Sequence, residues 1–205
     1  MTVSLKAGAG GVPYDQRLAG LVVRPLAGTP IHPNHLTVLS IAFGLTAAGL
    51  FAFGDSPGWA ATLFMLGVFT DHTDGELARL TAKTSRFGHH FDYIAGAANY
   101  TALFVGLGIG LDADWLAGLA PVLGVCAGLA NPLVMGVRLV HERRHGDAAV
   151  AHPYFGGFEL EDFIYLIGPI TWLGGLDYFF LVYGLGAIGY LLWQSAMLVA
   201  SEMRG

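Results

Sequence analysis

The sequence is short of charge and nearly without cysteine, and each shortage excludes a class of protein. Only 12% of its 205 residues are Asp, Glu, Lys or Arg, against about 25% in soluble domains, so a soluble globular chain is excluded. The single cysteine, Cys126, sits in an apolar run and supplies neither a disulfide framework nor a thiolate metal cluster. No apolar core follows Lys6, whose neighbours are Gly-rich, so no cleavable signal peptide is expected. There is no internal repeat, and no stretch is polar enough for a separate soluble domain.

What the chain has instead is apolar length. Hydrophobic residues make up 54% of it, and at about 20 apolar residues per crossing there is room for roughly six helices. The sequence therefore predicts an all-α fold, an integral membrane bundle of six transmembrane helices preceded by an amphipathic interfacial helix, forming a single membrane domain over residues 1–205. Residues 1–12 are Gly-rich and expected to be poorly ordered. Across 14–27, Leu18, Leu21, Val22, Val23 and Leu26 alternate with Asp15, Gln16, Arg17 and Arg24. That stretch is too short and too polar to span, and reads as a helix lying in the interface that Pro25 kinks or ends. Spans are expected at about 34–53, 58–80, 88–111, 115–140, 159–175 and 178–201. Asn34 is placed to cap the first, Pro121 and Pro132 to kink the fourth, and residues 141–158 to form the longest loop. The 30 glycines favour close helix packing through small residues.

Charge then orients the bundle. All 10 Lys and Arg, from Lys6 to Arg204, fall at the termini or in the even-numbered links, while the opposite loops carry Asp55, Asp112, Asp114 and Asp177 and no base. By the positive-inside rule both termini face the cytoplasm, in a multi-pass protein of the cell (inner) membrane.

Residues 71–96 break the apolar pattern. Asp71, Asp74 and Asp92 are set into or beside runs that otherwise look membrane-embedded, where ionised groups are expensive and mark function by default. Asp71 and Asp74 are three apart and share one helix face. Carboxylates without a Cys/His cluster suit a hard divalent cation, Mg²⁺ or Mn²⁺. The positions 89, 92, 96 and 99 form one helical stripe on which His89 and Asn99 flank Gly96.

The spacing Asp71-x2-Asp74-Gly75-x2-Ala78-Arg79-x8-Gly88-x3-Asp92-x3-Gly96 resembles the signature of the CDP-alcohol phosphotransferases, D-x2-D-G-x2-A-R-x8-G-x3-D-x3-D. Seven of its eight residues match in register across 26 positions, and Gly96 stands where the family has its last Asp. The resemblance implies transfer of a phosphoalcohol group from a CDP-alcohol such as CDP-diacylglycerol to an acceptor hydroxyl, with release of CMP, in phospholipid synthesis. It implies Asp71, Asp74 and Asp92 as metal ligands and Gly75, Arg79 and Ser85 as nucleotide contacts. Asn34 and Thr37, in a Pro-Asn-x-x-Thr opening similar to the family's, and the small residue Ala78 join the nucleotide-binding set. Gly75 and Ala78 would leave room for a nucleotide beside the helix, although small residues also serve plain helix packing. Arg79 can reach a phosphate bidentately.

In the family the missing fourth Asp is the proposed general base and a ligand of the second metal. Among His89, His90 and His72, His89 is best placed to act as a base near neutral pH; each could equally be an interfacial polar side chain. Lys83, Arg86 and Arg138 are candidates for a phosphorylated acceptor, and positive-inside charge explains them equally well. Glu159, Glu161 and Asp162 suit a helix N-terminus or a polar role at the cytoplasmic mouth. The expected partners are a CDP-linked lipid donor, an acceptor alcohol, membrane lipids and a second copy of the chain in a homodimer; nucleic acid is not expected. A family member that binds nucleotide and metal with little catalysis, in a regulatory or structural role, is the alternative. A small transporter using the Asp cluster as an ion path would need none of Gly75, Ala78 and Arg79.

Overall fold

A computed structural model describes residues 14–112, 114–116, 118–145, 154–155 and 158–203. The Gly-rich start, Lys6 and Arg204, and the side chain of Glu159, lie outside what it describes. Seven α-helices organise the described chain: α1 Tyr14–Val23, α2 Pro33–Phe53, α3 Pro57–Leu80, α4 Arg86–Gly110, α5 Leu119–His145, α6 Ile167–Trp172 and α7 Leu176–Glu202. A pair of two-residue strands, Tyr154–Phe155 and Phe158–Glu159, and a 3₁₀ segment, Leu160–Leu166, lead into α6. Among the described residues the regular structure is thus all helical apart from that small antiparallel pair. Its apolar helices make it a multi-pass membrane protein.

Six helices close a ring. α2 packs on α3 and α4, α4 on α5, α5 on α7, α7 on α6, and α6 back on α3, while α1 lies against α3. The core inside is aromatic and aliphatic, built from Phe64, Leu103, Phe104, Leu107, Ile164, Ile167 and Phe180. Glycine lets the backbones touch. A Cβ at Gly106 would stand 2.4 Å from the Ala48 carbonyl oxygen on α2, and one at Gly124 2.5 Å from the Phe104 carbonyl oxygen on α4.

Four helices, α2, α4, α5 and α7, are long and apolar enough to cross a membrane. α3 is also long, at 24 residues, but its last turns hold Asp71, Asp74, Glu76 and Arg79. The expected fifth span is corrected: 159–175 is not one continuous α-helix but 7 residues of 3₁₀ helix followed by 6 of α. Pro169 has no N–H to bond the Tyr165 carbonyl four residues back, so the α pattern is interrupted there and α6 begins with Pro169 in its first turn. The segment rises about 23 Å in all, at about 2.0 and 1.5 Å per residue.

Other boundaries also move. α5 starts at Leu119 rather than 115, because Gly118 takes a positive φ of 77°. It continues through His145, so residues 141–145 are helical and not loop; nothing before Gly146 breaks the helix, and Arg144 pairs with Glu202 of α7. Pro121 falls in the first turn of α5, where a missing N–H costs nothing. Pro132 lies inside the helix and leaves the Gly128 carbonyl without its usual donor; Thr101 Oγ1 of α4 donates to that oxygen at 3.0 Å. The interfacial helix ends at Val23, before Pro25, with Ala19 and Val23 buried and Leu18, Leu21 and Val22 exposed. Asn34 is not the cap of α2. His32 is, accepting from Asn34 N at 3.2 Å, because Pro33 takes the first helical position and puts Asn34 inside the first turn.

Candidate functional site

The starts of α2 and α4 and the end of α3 meet at one end of the bundle. α4 begins there because Ser85 caps it, its Oγ accepting from Gly88 N at 2.9 Å. α3 ends there in a turn with Lys83 N bonded to Ala78 O at 3.0 Å and Ala82 in the left-handed region at φ 53°. This turn brings Asp92 of α4 to Asp71 and Asp74 of α3. The three carboxylates each place an oxygen within 4.8 Å of the others. Asp74 is buried and the other two are half-buried.

α2 orients the carboxylates. Thr37 Oγ1 donates to Asp74 Oδ2 at 2.5 Å, and Ser40 Oγ to Asp71 Oδ1 at 3.4 Å. Asn99 Nδ2 donates in turn to Ser40 Oγ at 3.1 Å. A cluster of three oxygen ligands drawn from two helices, with no thiolate among them, fits a hard divalent cation such as Mg²⁺ or Mn²⁺. Hydrogen bonds to the carboxylates are the kind that fix ligand orientation.

Around the cluster, Arg79 folds back over Gly75. Its guanidinium donates to Glu76 Oε1 at 2.6 Å, and a Cβ at Gly75 would meet the guanidinium nitrogens at 3.6 Å. Asn34 reaches α4, its Oδ1 lying 3.4 Å from where a Cβ on Gly88 would stand. The sequence-distant pieces Asn34/Thr37, Asp71–Arg79 and Ser85–Asp92 are therefore neighbours. Ala78 is half-buried on the same turn as Arg79.

The remaining candidates divide. His89 is exposed one turn before Asp92, and His90 is exposed with its Nδ1 2.6 Å from Arg86 O. His72 points elsewhere. Its Nδ1 pairs with the Asp15 carboxylate of α1 and lies 3.5 Å from the Tyr165 hydroxyl. Burial alone would raise the Asp15 carboxyl, but the hydrogen bond and charge of His72 outweigh it and hold Asp15 below its usual value. Lys83 and Arg86 are exposed on the link and the first turn of α4. Arg138 is ion-paired at 3.1 Å with Glu161, on the 3₁₀ segment. Gly96 has nothing within 4 Å of the position its Cβ would occupy.

Sequence reasoning did not single out Ser40, Glu76, Asp15 or Tyr165. A signal existed for Ser40: a hydroxyl three residues after Thr37, on the same face of an apolar helix. A cavity of about 310 Å³ lies at the other end of the same helices, lined by Phe51, Asp55, Leu107, Asp112 and Leu176 among others, and contains no residue of the motif.

The family model described as CDP-alcohol phosphatidyltransferase matches residues 30–201. The chain is similar to the CDP-diacylglycerol–serine O-phosphatidyltransferase of Mycobacterium leprae, with 39% identity over 70 residues, 34% of this chain and 23% of that protein. It is 30% identical over 92 residues to the archaetidylinositol phosphate synthase of Pyrococcus horikoshii, covering 45% of this chain and 48% of the other. A CDP-diacylglycerol–glycerol-3-phosphate 3-phosphatidyltransferase of Cereibacter sphaeroides is 44% identical over 70 residues, 32% of this chain and 31% of that protein. In each of the three pairings the chain thus spans less than half of the curated relative's length. The crystal structure of a phosphatidylinositol phosphate synthase of Mycobacterium tuberculosis with CDP-DAG bound superposes with a TM-score of 0.67, over 89% of this chain and 94% of that one. At 16% identity this likeness is one of fold.

Proposed function

The chain belongs to the CDP-alcohol phosphatidyltransferase family, and on that premise we propose that it transfers a phosphoalcohol group from a CDP-alcohol, such as CDP-diacylglycerol, to an acceptor hydroxyl. The acceptor oxygen attacks the phosphorus that bears the alcohol, the bond from that phosphorus to CMP breaks, and the hydroxyl proton is lost. The observation that carries this reading is the convergence of Asp71, Asp74 and Asp92 within 4.8 Å, beside Arg79.

Asp71, Asp74 and Asp92 would hold the divalent cation, which when bound supplies charge neutralisation for the diphosphate. Arg79 adds a guanidinium for the same phosphates, and Gly75, having no side chain, leaves the helix surface open beneath it. Asn34, Thr37, Ala78 and Ser85 complete the nucleotide side. Thr37 acts there through Asp74, whose carboxylate it orients. His89, exposed one turn from Asp92, is the proposed base. Lys83 and Arg86 offer cations to a phosphorylated acceptor from the same end of the bundle. Arg138 would do so from beside Glu161.

CMP release and lipid mass spectrometry with CDP-diacylglycerol, Mn²⁺ and a panel of acceptor alcohols test the reaction. Product is expected from the wild type and none from Asp71→Asn; no product with any acceptor, or equal product from Asp71→Asn, would sink the proposal. Gly96 favours a second reading, a member that binds nucleotide and metal but turns over weakly, because the position offers no carboxylate.

The same reading puts six membrane crossings, the site and both termini on the cytoplasmic side of the inner membrane, and two copies in a homodimer. In a Cys126→Ala background, a cysteine at position 83 should react with a membrane-impermeant reagent only from the cytoplasm, and one at position 55 only from outside. Detergent-corrected mass should give a dimer; monomer at every concentration would remove that part.

A further inference from the structure

We propose that Ser40 and Asn99 are a positioning pair that fixes the Asp71 carboxylate for its cation across three helices, and that position 44 is glycine to make room for the pair. The inference rests on the cation site proposed above. Both side chains are deep in the bundle, Ser40 at 0% and Asn99 at 5% exposure. Polar groups at such depth are costly unless they are hydrogen-bonded, and Ser40 Oγ and Asn99 Nδ2 are, while Asn99 Oδ1 is buried without a hydrogen bond. Their bonds also run in a fixed direction. An amide nitrogen can only donate, so Ser40 Oγ accepts from Asn99 Nδ2 at 3.1 Å. The one hydroxyl hydrogen of Ser40 is then committed to Asp71 Oδ1, at 3.4 Å. That bond holds the orientation of the Asp71 carboxylate within the cluster it forms with Asp74 and Asp92.

Gly44, one turn after Ser40 on α2, makes the arrangement possible. A Cβ there would stand 2.2 Å from Asn99 Oδ1 and 2.5 Å from its Cγ. α3 closes on the same stretch, for a Cβ on Gly67 would lie 3.3 Å from both Gly44 N and Ser40 O. A side chain at position 44 would therefore push Asn99 away from Ser40 without removing any polar group.

The test is Mn²⁺ titration calorimetry on the purified full chain in detergent, with a thermal melt of each metal-free variant. Ser40→Ala, Asn99→Leu and Gly44→Ala should each weaken Mn²⁺ binding by about 10–100-fold, the usual effect of losing a partner behind a ligand. The Ser40→Ala/Asn99→Leu double variant should bind no worse than the weaker single variant. Ser40→Ala removes one oxygen and adds no bulk, so it decides the matter if Asn99→Leu or Gly44→Ala does not fold. Wild-type affinity in Ser40→Ala would overturn the inference, as would a lowered melt with unchanged affinity, which marks a purely structural bond. If the wild type itself takes up no Mn²⁺, the cation site and the pair's role fall together; loss of affinity confined to the variants leaves the site standing and supports the pair.

Discussion

A carboxylate at position 96 would meet open space, since nothing lies within 4 Å of a Cβ built there. Gly96 is one turn beyond Asp92 on the same stripe of α4, so Gly96→Asp should place a fourth carboxylate beside the other three without a clash. If turnover is limited by the missing base and ligand, CMP release by Gly96→Asp should rise by about tenfold or more, with a steeper dependence on metal concentration. If His89 already takes the proton, Gly96→Asp should change little and His89→Ala should be severe. Activity in the wild type that is indifferent to both substitutions would defeat both versions. At this scale the sequence was legible where a residue acts by its own spacing, as with Asp71 and Asp74 three apart. It was opaque where the partner comes from another helix. Ser40 and Asn99 are 59 residues apart, and nothing local marks them as bonded. His72, one of the three candidate bases, pairs with Asp15, because α1 docks on α3 at that point.

The helices that carry the ligands depend on a third. α3 and α4 meet each other only slightly, and each packs extensively on α2. A cation held by Asp71 and Asp74 on one side and Asp92 on the other would therefore be a direct tie between α3 and α4. Removing metal with a chelator should speed hydrogen exchange in the link from Thr81 to Ser85 and the first turn of α4, and leave α5 and α7 unchanged; uniform exchange with and without metal would exclude the tie. The long apolar helices were readable from composition because length and apolarity alone define them. The fifth segment was not, since its hydropathy resembles a span while Pro169 dictates the backbone. The end of α5 was missed for the converse reason: its last turns are charged, and charge does not stop a helix.

Seen whole, the molecule has two unlike ends. Among the described residues, the cationic side chains gather at the end holding the carboxylate cluster. The other end carries Trp59, Trp115 and Trp172, with Trp115 Nε1 donating to Asp177 at 2.8 Å and Trp172 Nε1 to Gly58 O at 3.3 Å. Indoles of this kind settle at the headgroup level and hold the bundle at a set depth. Against that fixed depth the segment Leu160–Trp172 is short: α2, with 21 residues, rises about 32 Å, while the 3₁₀ segment and α6 together rise about 23 Å, below the roughly 30 Å of a typical hydrocarbon core. The perimeter of the protein is thus uneven in hydrophobic thickness, and the lipids beside α6 must compress or the bundle must lean toward them. Reconstituted in phosphatidylcholines of stepped acyl length, the protein should turn over fastest in the thinner bilayers and slow as the chains lengthen. A flat profile would mean that the short side is sheltered from lipid by another protein surface.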